Sequence, residues 1–200
     1  LAHSLDDQAE TVLLGLTRGS GPSGLKGMPV RDGAFHRPFL GIQRTTLRQA
    51  LTDAGLEWWE DPHNTDERFT RVRVRQQVMP VLEKELGPGV AQALARTAEL
   101  FREDSSALDE LATQWFTEHA HFEGEGHASL EVTDLEQMSV ALQTRVLRML
   151  VVRAGGTAPT YAHTQQMLRL LEHWRGQSAL DVSGASVERV DGRIVARKSV

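Results

Sequence analysis

Hydrophobic residues recur at intervals of three or four along most of the chain. Near the start, Leu5, Ala9, Val12 and Leu16 follow this spacing. Because an α-helix repeats every ~3.6 residues, the spacing gathers apolar side chains on one helix face. The same pattern predicts five further helices, at about residues 46–54, 67–78, 90–119, 134–152 and 160–174. The sequence therefore predicts a mainly α-helical protein.

Residues at the ends of these segments fit helix boundaries. Ser4 and Asp7 have the spacing of a capping box, in which each side chain bonds the backbone N–H of the other residue. Asp134, with Gln137 three residues later, is expected to begin a later helix. Pro80 should end or kink the helix before it, since proline lacks an N–H and its ring clashes with the preceding turn.

The C-terminal segment has the pattern of a β-hairpin. Strand-forming residues at 187–196 surround Asp191-Gly192, a dipeptide typical of a tight turn with two positive φ angles. Gly87-Pro88-Gly89 is the strongest linker signal in the chain. We therefore predict two domains, 1–87 and 88–200, of which the second is helical and ends in a small β-hairpin.

Composition narrows the class of protein. With 40% hydrophobic and 24% charged residues among 200, the chain is expected to fold. No apolar run approaches the ~18 residues of a membrane span, so no membrane partner is expected. Cys is absent, which fits a cytoplasmic protein. The net charge of −5 gives no general attraction for nucleic acid, but four arginines between 68 and 75 form a local basic strip.

A glycine-rich segment, Gly19 to Gly24, formally matches the G-x-G-x-x-G dinucleotide motif. The motif binds a nucleotide when it follows a strand and opens a helix, whereas here it follows a helix. We therefore interpret it as a flexible connection.

The first candidate for chemistry is an acidic turn containing His3, Asp6, Asp7 and Glu10. On a helix, residues three and four apart are neighbours, so these carboxylates project together. One interpretation is structural, since acids at a helix N-terminus interact favourably with its dipole. The other is a site for an ammonium group or for a Mg²⁺-bound phosphate, because carboxylates suit both.

The second candidate is the set Arg68, Arg71 and Arg75, whose spacing puts them on one helix face. They form either a solvated charged face or a phosphate-binding site, since guanidinium groups match phosphate oxygens in bidentate geometry.

The third candidate lies between His119 and His127. His119, His121 and His127 stand close to two glutamates, Glu123 and Glu125, and such a set either binds a metal or forms an exposed loop. The segment looks like a loop, so we expect no metal site there.

Several motifs, taken in order, strongly resemble tRNA(Ile)-lysidine synthetase over the first ~85 residues. They are Ala2-His3-Ser4-Leu5-Asp6-Asp7-Gln8-Ala9-Glu10-Thr11, Arg18-Gly19-Ser20-Gly21, Gly24-Leu25-x-Gly27-Met28, Arg37-Pro38, Glu60-Asp61-Pro62-x-Asn64, and Arg71 with Arg75. The rest of the chain resembles the helical substrate-binding domain of that family.

The resemblance implies an α/β PP-loop ATP pyrophosphatase domain, of which residues 1–87 would be the C-terminal part. It also implies a reaction: ATP adenylates the C2 oxygen of the wobble cytidine in an isoleucine tRNA with a CAU anticodon, with loss of pyrophosphate, and the amine of L-lysine then displaces AMP. The modified tRNA reads AUA instead of AUG and is charged with isoleucine instead of methionine. ATP and Mg²⁺ are the implied cofactors, and a homodimer is left open.

The resemblance also implies roles for individual residues. Asp7 and Glu10 match residues that hold lysine, His3 lies beside the pocket and Arg18 at its rim, and Asp6 belongs to the same catalytic group. The positions expected to contact tRNA are Asn64, Arg68, Arg71 and Arg75. The chain departs from the family pattern in having Ser4, Val72 and Gln76 where a second histidine, an asparagine and a histidine are usual.

One family motif does not occur in these 200 residues: the Ser-Gly-Gly-x-Asp-Ser loop that cradles the ATP phosphates. Because adenylation needs phosphate-orienting N–H groups, we expect this chain alone to lack ligase activity. Lysine incorporation into tRNA by the purified chain would contradict that expectation. The alternative function is a non-catalytic helical RNA-binding module, which would keep the arginine strip.

Overall fold

The computed structural model describes residues 1–19 and 21–199, and the chain divides into two units, Leu1–Ser105 and Ser106–Val200. The division falls inside a long helix, 18 residues after the predicted boundary at residue 87. A division by spatial contacts does not test a boundary between protein domains, so the boundary after residue 87 stays a prediction.

Short helices dominate the first unit. In chain order its elements are α1 (Leu5–Thr17), α2 (Gly21–Leu25), β1 (Arg31–Asp32), β2 (Phe35–His36), α3 (Arg44–Asp53), a 3₁₀ turn (Pro62–Thr65), α4 (Thr70–Arg73), a π-helical turn (Val74–Val78), α5 (Met79–Glu85) and the start of α6 (Val90–His119). The two short strands pair with each other antiparallel.

The predicted capping box at the start of α1 is confirmed. The Ser4 backbone N–H donates to Asp7 Oδ2 at 2.8 Å, and the Asp7 N–H donates to Ser4 Oγ at 3.4 Å. Ala9 and Val12 on this helix are fully buried. The cap and the buried face together fix the orientation of the acidic turn.

The glycine-rich segment is more ordered than predicted. Residues Gly21–Leu25 form a helical turn instead of a flexible connection, while Ser20 lies outside the described residues. A Cβ atom added at Gly15 would lie 2.9 Å from the carbonyl oxygen of Gly24, so α1 and α2 approach closely because both positions are glycine.

The start of the helix predicted at 67–78 is wrong, while the end or kink predicted at Pro80 stays a prediction. The helix begins at Thr70, and a π-helical turn joins α4 to α5 without a break. The N–H of Met79 donates to the carbonyl of Val74, five residues back, and Pro80 falls in the first turn of α5. Pro80 has no N–H to continue the helical hydrogen-bond pattern, and the pattern changes from α to π in the turn directly before it.

Helices and one antiparallel sheet make up the second unit. After the end of α6 come β3 (His121–Phe122), β4 (His127–Glu131), α7 (Val132–Glu136), α8 (Val140–Arg153), α9 (Tyr161–Glu172), β5 (Leu180–Val182), β6 (Ala185–Val190) and β7 (Arg193–Lys198). The strand order is β3-β4-β7-β6-β5. Leu130 lies opposite Ile194 in the register, and both are fully buried.

The predicted hairpin is confirmed, but it belongs to a larger sheet. Strands β6 and β7 meet at Asp191 and Gly192, which have φ angles of 47° and 80°, as a tight hairpin turn requires. The segment after His119, predicted as a loop, contributes strand β3. It pairs with Ala128 and Ser129 of β4, and so short a strand gives almost no pattern in the sequence.

The single helix predicted at 134–152 is two helices in the structure. Residues 134–152 divide into α7 and α8, and Asp134 lies within α7 instead of capping it. The buried Gln143 side chain donates to the carbonyl of Leu135 at 2.9 Å, which also accepts from the N–H of Met138 at 3.0 Å, so this side chain connects α8 to the end of α7. The mainly α fold class with a small C-terminal β element is confirmed.

Candidate functional site

Three carboxylates lie side by side on the first two turns of α1. Asp6 and Asp7 occupy the first turn and Glu10 the next. The side chain of Glu10 is 2% exposed and that of Asp7 is 14% exposed. A carboxylate removed from water to this degree requires compensating hydrogen bonds or opposite charges.

Glu10 is paired with two arginines that come from a distant part of the chain. Arg75 donates in a fork, from Nε to Oε1 at 2.7 Å and from Nη2 to Oε2 at 3.0 Å. Arg71 donates from Nε to Oε2 at 2.9 Å. The π-helical turn holds Arg75, and α4 holds Arg71, so this irregular helical segment positions both guanidinium groups on one carboxylate.

Asp7 is held from both sides. Its Oδ2 accepts from the N–H and the hydroxyl of Ser4, at 2.8 and 2.7 Å. Its Oδ1 accepts from Arg75 Nη2 at 2.9 Å and from Arg44 Nη2 at 3.1 Å. Asp7 therefore serves both as the helix cap and as a member of the ion-pair cluster.

Arg44 is the third guanidinium of the cluster. It is the first residue of α3, and its backbone N–H donates to Asp6 Oδ2 at 2.7 Å. Its Nη2 also lies 3.5 Å from Glu10 Oε1. We define the carboxylate–arginine cluster as the set of three acidic and three basic side chains: Asp6, Asp7, Glu10, Arg44, Arg71 and Arg75.

The charges of the carboxylate–arginine cluster change the pKa values of its members. Burial alone would raise the pKa of Asp7, but hydrogen bonds from Ser4 and the charges of Arg44 and Arg75 outweigh it and hold that pKa below the usual value. Burial would lower the pKa of Arg75, but Glu10 and Asp7 reverse the effect and raise it. Both shifts favour the charged forms of Asp7 and Arg75.

His3 stands beside the carboxylate–arginine cluster. Burial lowers the pKa of His3, the charge of Arg71 lowers it further, and the charge of Asp7 acts in the opposite direction. Its Nδ1 is buried without a hydrogen-bond partner among the described residues. The lowered pKa favours the neutral imidazole of His3.

Gln8 fixes the loop that follows α2. Its side chain accepts from the N–H of Met28 at 2.8 Å and donates to the carbonyl of Met28 at 3.0 Å. Arg102 donates to the same carbonyl at 2.9 Å and to that of Lys26 at 2.6 Å. Gly27 has a φ angle of +55°, and an added Cβ would lie 2.7 Å from Gln8 Oε1. These contacts attach the loop to the helix that carries the carboxylates.

Besides His3, which stands beside the carboxylate–arginine cluster, three further predicted site residues lie outside it. Arg18 is the exposed C-cap of α1, about 12 Å along the helix from Glu10 at ~1.5 Å per residue. Asn64 lies in the 3₁₀ turn, where its carbonyl accepts from the Gln76 side chain at 3.4 Å. Arg68 precedes α4 and pairs with Asp66, with its side chain 87% exposed.

The predicted shared face of Arg68, Arg71 and Arg75 is therefore wrong. The helix begins at Thr70, so Arg68 does not continue the spacing of the other two. Arg71 and Arg75 point to the carboxylates of α1 instead of forming a free basic face. Two candidates that the sequence presents separately, the acidic turn and the arginine strip, form one cluster.

Sequence reasoning missed Arg44 and the role of Gln8. Arg44 occupies the first position of an exposed helix whose N-cap, Gln43, makes no side-chain cap bond, so no local pattern marks it. Gln8 lies within the Asp-Asp-Gln-Ala-Glu string, which is the signal that could have found it.

No metal centre forms in the part of the chain that the structure describes: no three His, Cys, Asp or Glu side chains there are placed to hold an ion. His119 stacks on Trp115, with ring centroids 4.4 Å apart, and its Nδ1 lies 2.9 Å from the Trp115 carbonyl. Nor is any helix in the described ranges long and apolar enough to cross a membrane.

Comparison with known proteins places these units in context. The model of the PP-loop domain family matches residues 1–82, and that of the TilS substrate binding domain matches residues 130–195. A tRNA(Ile)-lysidine synthase of Leifsonia xyli is 52% identical over 192 residues, which cover 96% of this chain and 58% of that protein. The chain belongs to the tRNA(Ile)-lysidine synthase family.

Two further tRNA(Ile)-lysidine synthases are similar to this chain over nearly its whole length. The protein of Thermobifida fusca is 46% identical over 98% of this chain and 60% of its own length. That of Rhodococcus erythropolis is 44% identical over 99% of this chain and 58% of its own length. The chain thus spans about 60% of the length of the curated relatives it matches.

Proposed function

We propose that the full-length protein ligates L-lysine to C2 of the wobble cytidine in an isoleucine tRNA with a CAU anticodon. ATP would adenylate the C2 oxygen with release of pyrophosphate, and the amine of lysine would then displace AMP. The names of the relatives and the matches to a PP-loop domain and a TilS substrate binding domain support the proposal.

One structural observation carries the lysine part of the proposal. Asp7 and Glu10 present carboxylate oxygens that lie 3.1 and 3.5 Å from one shared cationic nitrogen, Arg44 Nη2. An alkylammonium group needs the same surroundings, namely several carboxylate oxygens within hydrogen-bond distance. We therefore assign lysine binding to Asp7 and Glu10, with Asp6 as a supporting acid and His3 beside them.

The tRNA part rests on the arginines and on Asn64. Arg68 is the most exposed of them, at 87%, while Arg71 and Arg75 keep 38% and 25% of their side chains exposed. A guanidinium that already holds a carboxylate can still donate to a phosphate from its remaining N–H groups, since it has five. We assign phosphate contacts to these four residues and place Arg18 at the margin of the site.

ATP belongs to the proposal through the PP-loop match. The carboxylate–arginine cluster does not fit Mg²⁺, because Asp7 and Glu10 are already engaged by guanidinium groups and Asp6 accepts the backbone N–H of Arg44. We assign Mg²⁺ to the complete protein, with no ligand set among the described residues.

Ligation can be tested with the full-length protein, radiolabelled lysine, ATP and two tRNA transcripts. We expect lysine to enter the CAU-anticodon isoleucine tRNA with release of AMP and pyrophosphate, and to be absent from a GAU-anticodon transcript. Omission of ATP should abolish incorporation. Tight tRNA binding without any incorporation would contradict the proposal and favour a non-catalytic RNA-binding module.

A further inference from the structure

Arg44 differs from the other two arginines of the carboxylate–arginine cluster in how it is held. Only one of its side-chain nitrogens, Nη2, contacts the carboxylates, at 3.1 Å from Asp7 and 3.5 Å from Glu10. Its side chain is 26% exposed. A single-nitrogen contact that water can reach is weaker than a bidentate one.

The other two arginines are fixed by several bonds each. Arg75 forms a fork on Glu10 and also donates to Asp7. Arg71 donates to Glu10, to the backbone carbonyl of Asp7 at 2.8 Å and to the hydroxyl of Thr11 at 3.2 Å. Removing either would leave a carboxylate that is 2% exposed short of a partner.

The backbone around Arg44 does not depend on its guanidinium. Its N–H is bound to Asp6, and the N–H of Leu5 donates to the carbonyl of Ile42 at 2.9 Å. The start of α3 is thereby attached to the start of α1 through main-chain groups. The Arg44 side chain can therefore rotate away without loosening the helix that carries it.

Charge balance limits what can take its place. All three guanidinium groups contact Asp7 and Glu10, while Asp6 accepts the backbone N–H of Arg44. The cluster thus holds three acidic and three basic side chains, and loss of the Arg44 charge leaves an excess of one acidic group. An ammonium restores the balance, and its compact charge with three donors suits a position between two carboxylate oxygens.

We propose that Arg44 is an exchangeable counter-ion, which an ammonium group of substrate lysine replaces between Asp7 and Glu10. This inference rests on the proposed ligase function. Arg44 keeps the carboxylates paired while lysine is absent and competes with lysine for them, so it sets the lysine concentration at which the site fills. Arg71 and Arg75 stay in place throughout.

The first test compares Arg44→Gln and Arg48→Gln in the full-length protein. Arg48 lies one turn further along α3 and pairs with the exposed Glu60, so it is a matched control. Because the competitor is removed, we expect Arg44→Gln to lower the KM for lysine about three- to tenfold, the range of a partly exposed ion pair, with the KM for tRNA unchanged. Arg48→Gln should leave both unchanged.

Guanidinium ion provides a readout that a purely structural role would not change. In Arg44→Gln, guanidinium ion added at millimolar concentration should occupy the position of the missing side-chain guanidinium and raise the KM for lysine. The lysine KM of wild type should respond much less to added guanidinium. An unchanged or raised lysine KM in Arg44→Gln, or equal guanidinium sensitivity, would overturn the inference.

A second measurement uses the wild-type protein and so does not depend on folding of a variant. With ¹⁵N-labelled arginine side chains, lysine titration should shift the Arg44 guanidinium resonance and leave that of Arg75 in place. A shift of Arg75 alone, or of neither, would overturn the inference. Complete absence of lysine ligation by wild type would instead refute the proposed function, so the two failures are distinguishable.

Discussion

Glu10 places a carboxylate in a buried setting, where an uncompensated charge would be costly. Its side chain is 2% exposed, and it is compensated by a fork from Arg75 and a single bond from Arg71. Leaving a buried partner uncompensated is strongly destabilising, by ~3–5 kcal/mol, even where the intact pair adds little net stability. The pairing should therefore matter to folding as well as to any ligand.

Arg75→Met should accordingly destabilise the protein by about 3 kcal/mol, because it leaves the buried Glu10 carboxylate without its bidentate partner. Thermal or urea denaturation of the full-length protein measures the loss. The double variant Glu10→Gln with Arg75→Met should lose less than the sum of the two single variants. Arg48→Met, whose ion pair with Glu60 is about half exposed on both sides, should cost only a few tenths of a kcal/mol. Equal losses for Arg75→Met and Arg48→Met would contradict this account.

Asp7 makes stability depend on acid pH. Its pKa is lower in the folded protein than in the unfolded chain, so its contribution is complete above the unfolded value of about 4 and is lost as pH falls through the folded value. His3, with a pKa lowered from about 6.5, adds a loss of the same sign that begins below that pH.

Asp7→Asn should therefore be less stable than wild type at pH 7. Between pH 5 and pH 3 it should lose less stability than wild type does, because this range brackets the ordinary carboxyl pKa of about 4. Melting temperatures of both proteins across this range provide the test. A parallel loss in the two proteins would show that Asp7 does not titrate differently in the folded state.

At the scale of elements, helix α1 binds two different parts of the chain through neighbouring side chains. Asp7 and Glu10 face the arginines, while Gln8 binds the loop at Met28. The loop is compatible with this contact because Gly27 has a positive φ and no Cβ.

Gly27→Ala should disrupt that contact. The new Cβ would lie 2.7–2.9 Å from the Gln8 amide, in addition to the strain of a positive φ. Gly33→Ala is the matched control, since its φ of +56° is nearly the same and nothing lies within 4 Å of its Cβ. We expect Gly27→Ala to lower the melting temperature clearly more than Gly33→Ala. Similar losses would mean that backbone strain alone, and not the approach of Gln8, requires the glycine.

The contrast between local and distant contacts explains what the sequence could predict. The capping box of Ser4 and Asp7 and the turn at Asp191-Gly192 depend on residues within three positions of each other, and both are confirmed. The pairing of Glu10 with Arg71 and Arg75 joins residues 61 and 65 positions apart, which helical periodicity cannot report. The sequence did not predict the π-helical turn, because its apolar spacing differs little from that of an α-helix. Pro80 instead indicated the end or a kink of an ordinary helix.

At the scale of the whole molecule, the two ion-pair environments of the arginines predict different effects on RNA binding. Arg68 is exposed and pairs only with its neighbour Asp66, whereas Arg71 and Arg75 also maintain the buried Glu10. Removal of Arg71 or Arg75 therefore mixes lost RNA contacts with lost stability.

Arg68→Ala provides a cleaner test of the proposed tRNA contact. If Arg68 binds a phosphate, the variant should bind tRNA more weakly and with a slope of log affinity against log salt reduced by about 1, without a change in melting temperature. Arg48→Ala, which removes the exposed ion pair with Glu60, is the comparison variant and should leave the slope unchanged. An unchanged slope in Arg68→Ala would remove Arg68 from the tRNA site.

The central claim is that the carboxylates of α1 form the lysine site of a tRNA-modifying ligase. Steady-state ligation by full-length Asp7→Asn, measured at varied lysine with saturating ATP and tRNA, tests it most directly. The account predicts a lysine KM raised about tenfold or more, as expected for loss of one charge-assisted contact, with the KM for tRNA unchanged. An unchanged lysine KM would contradict the claim and leave Asp7 as a helix cap.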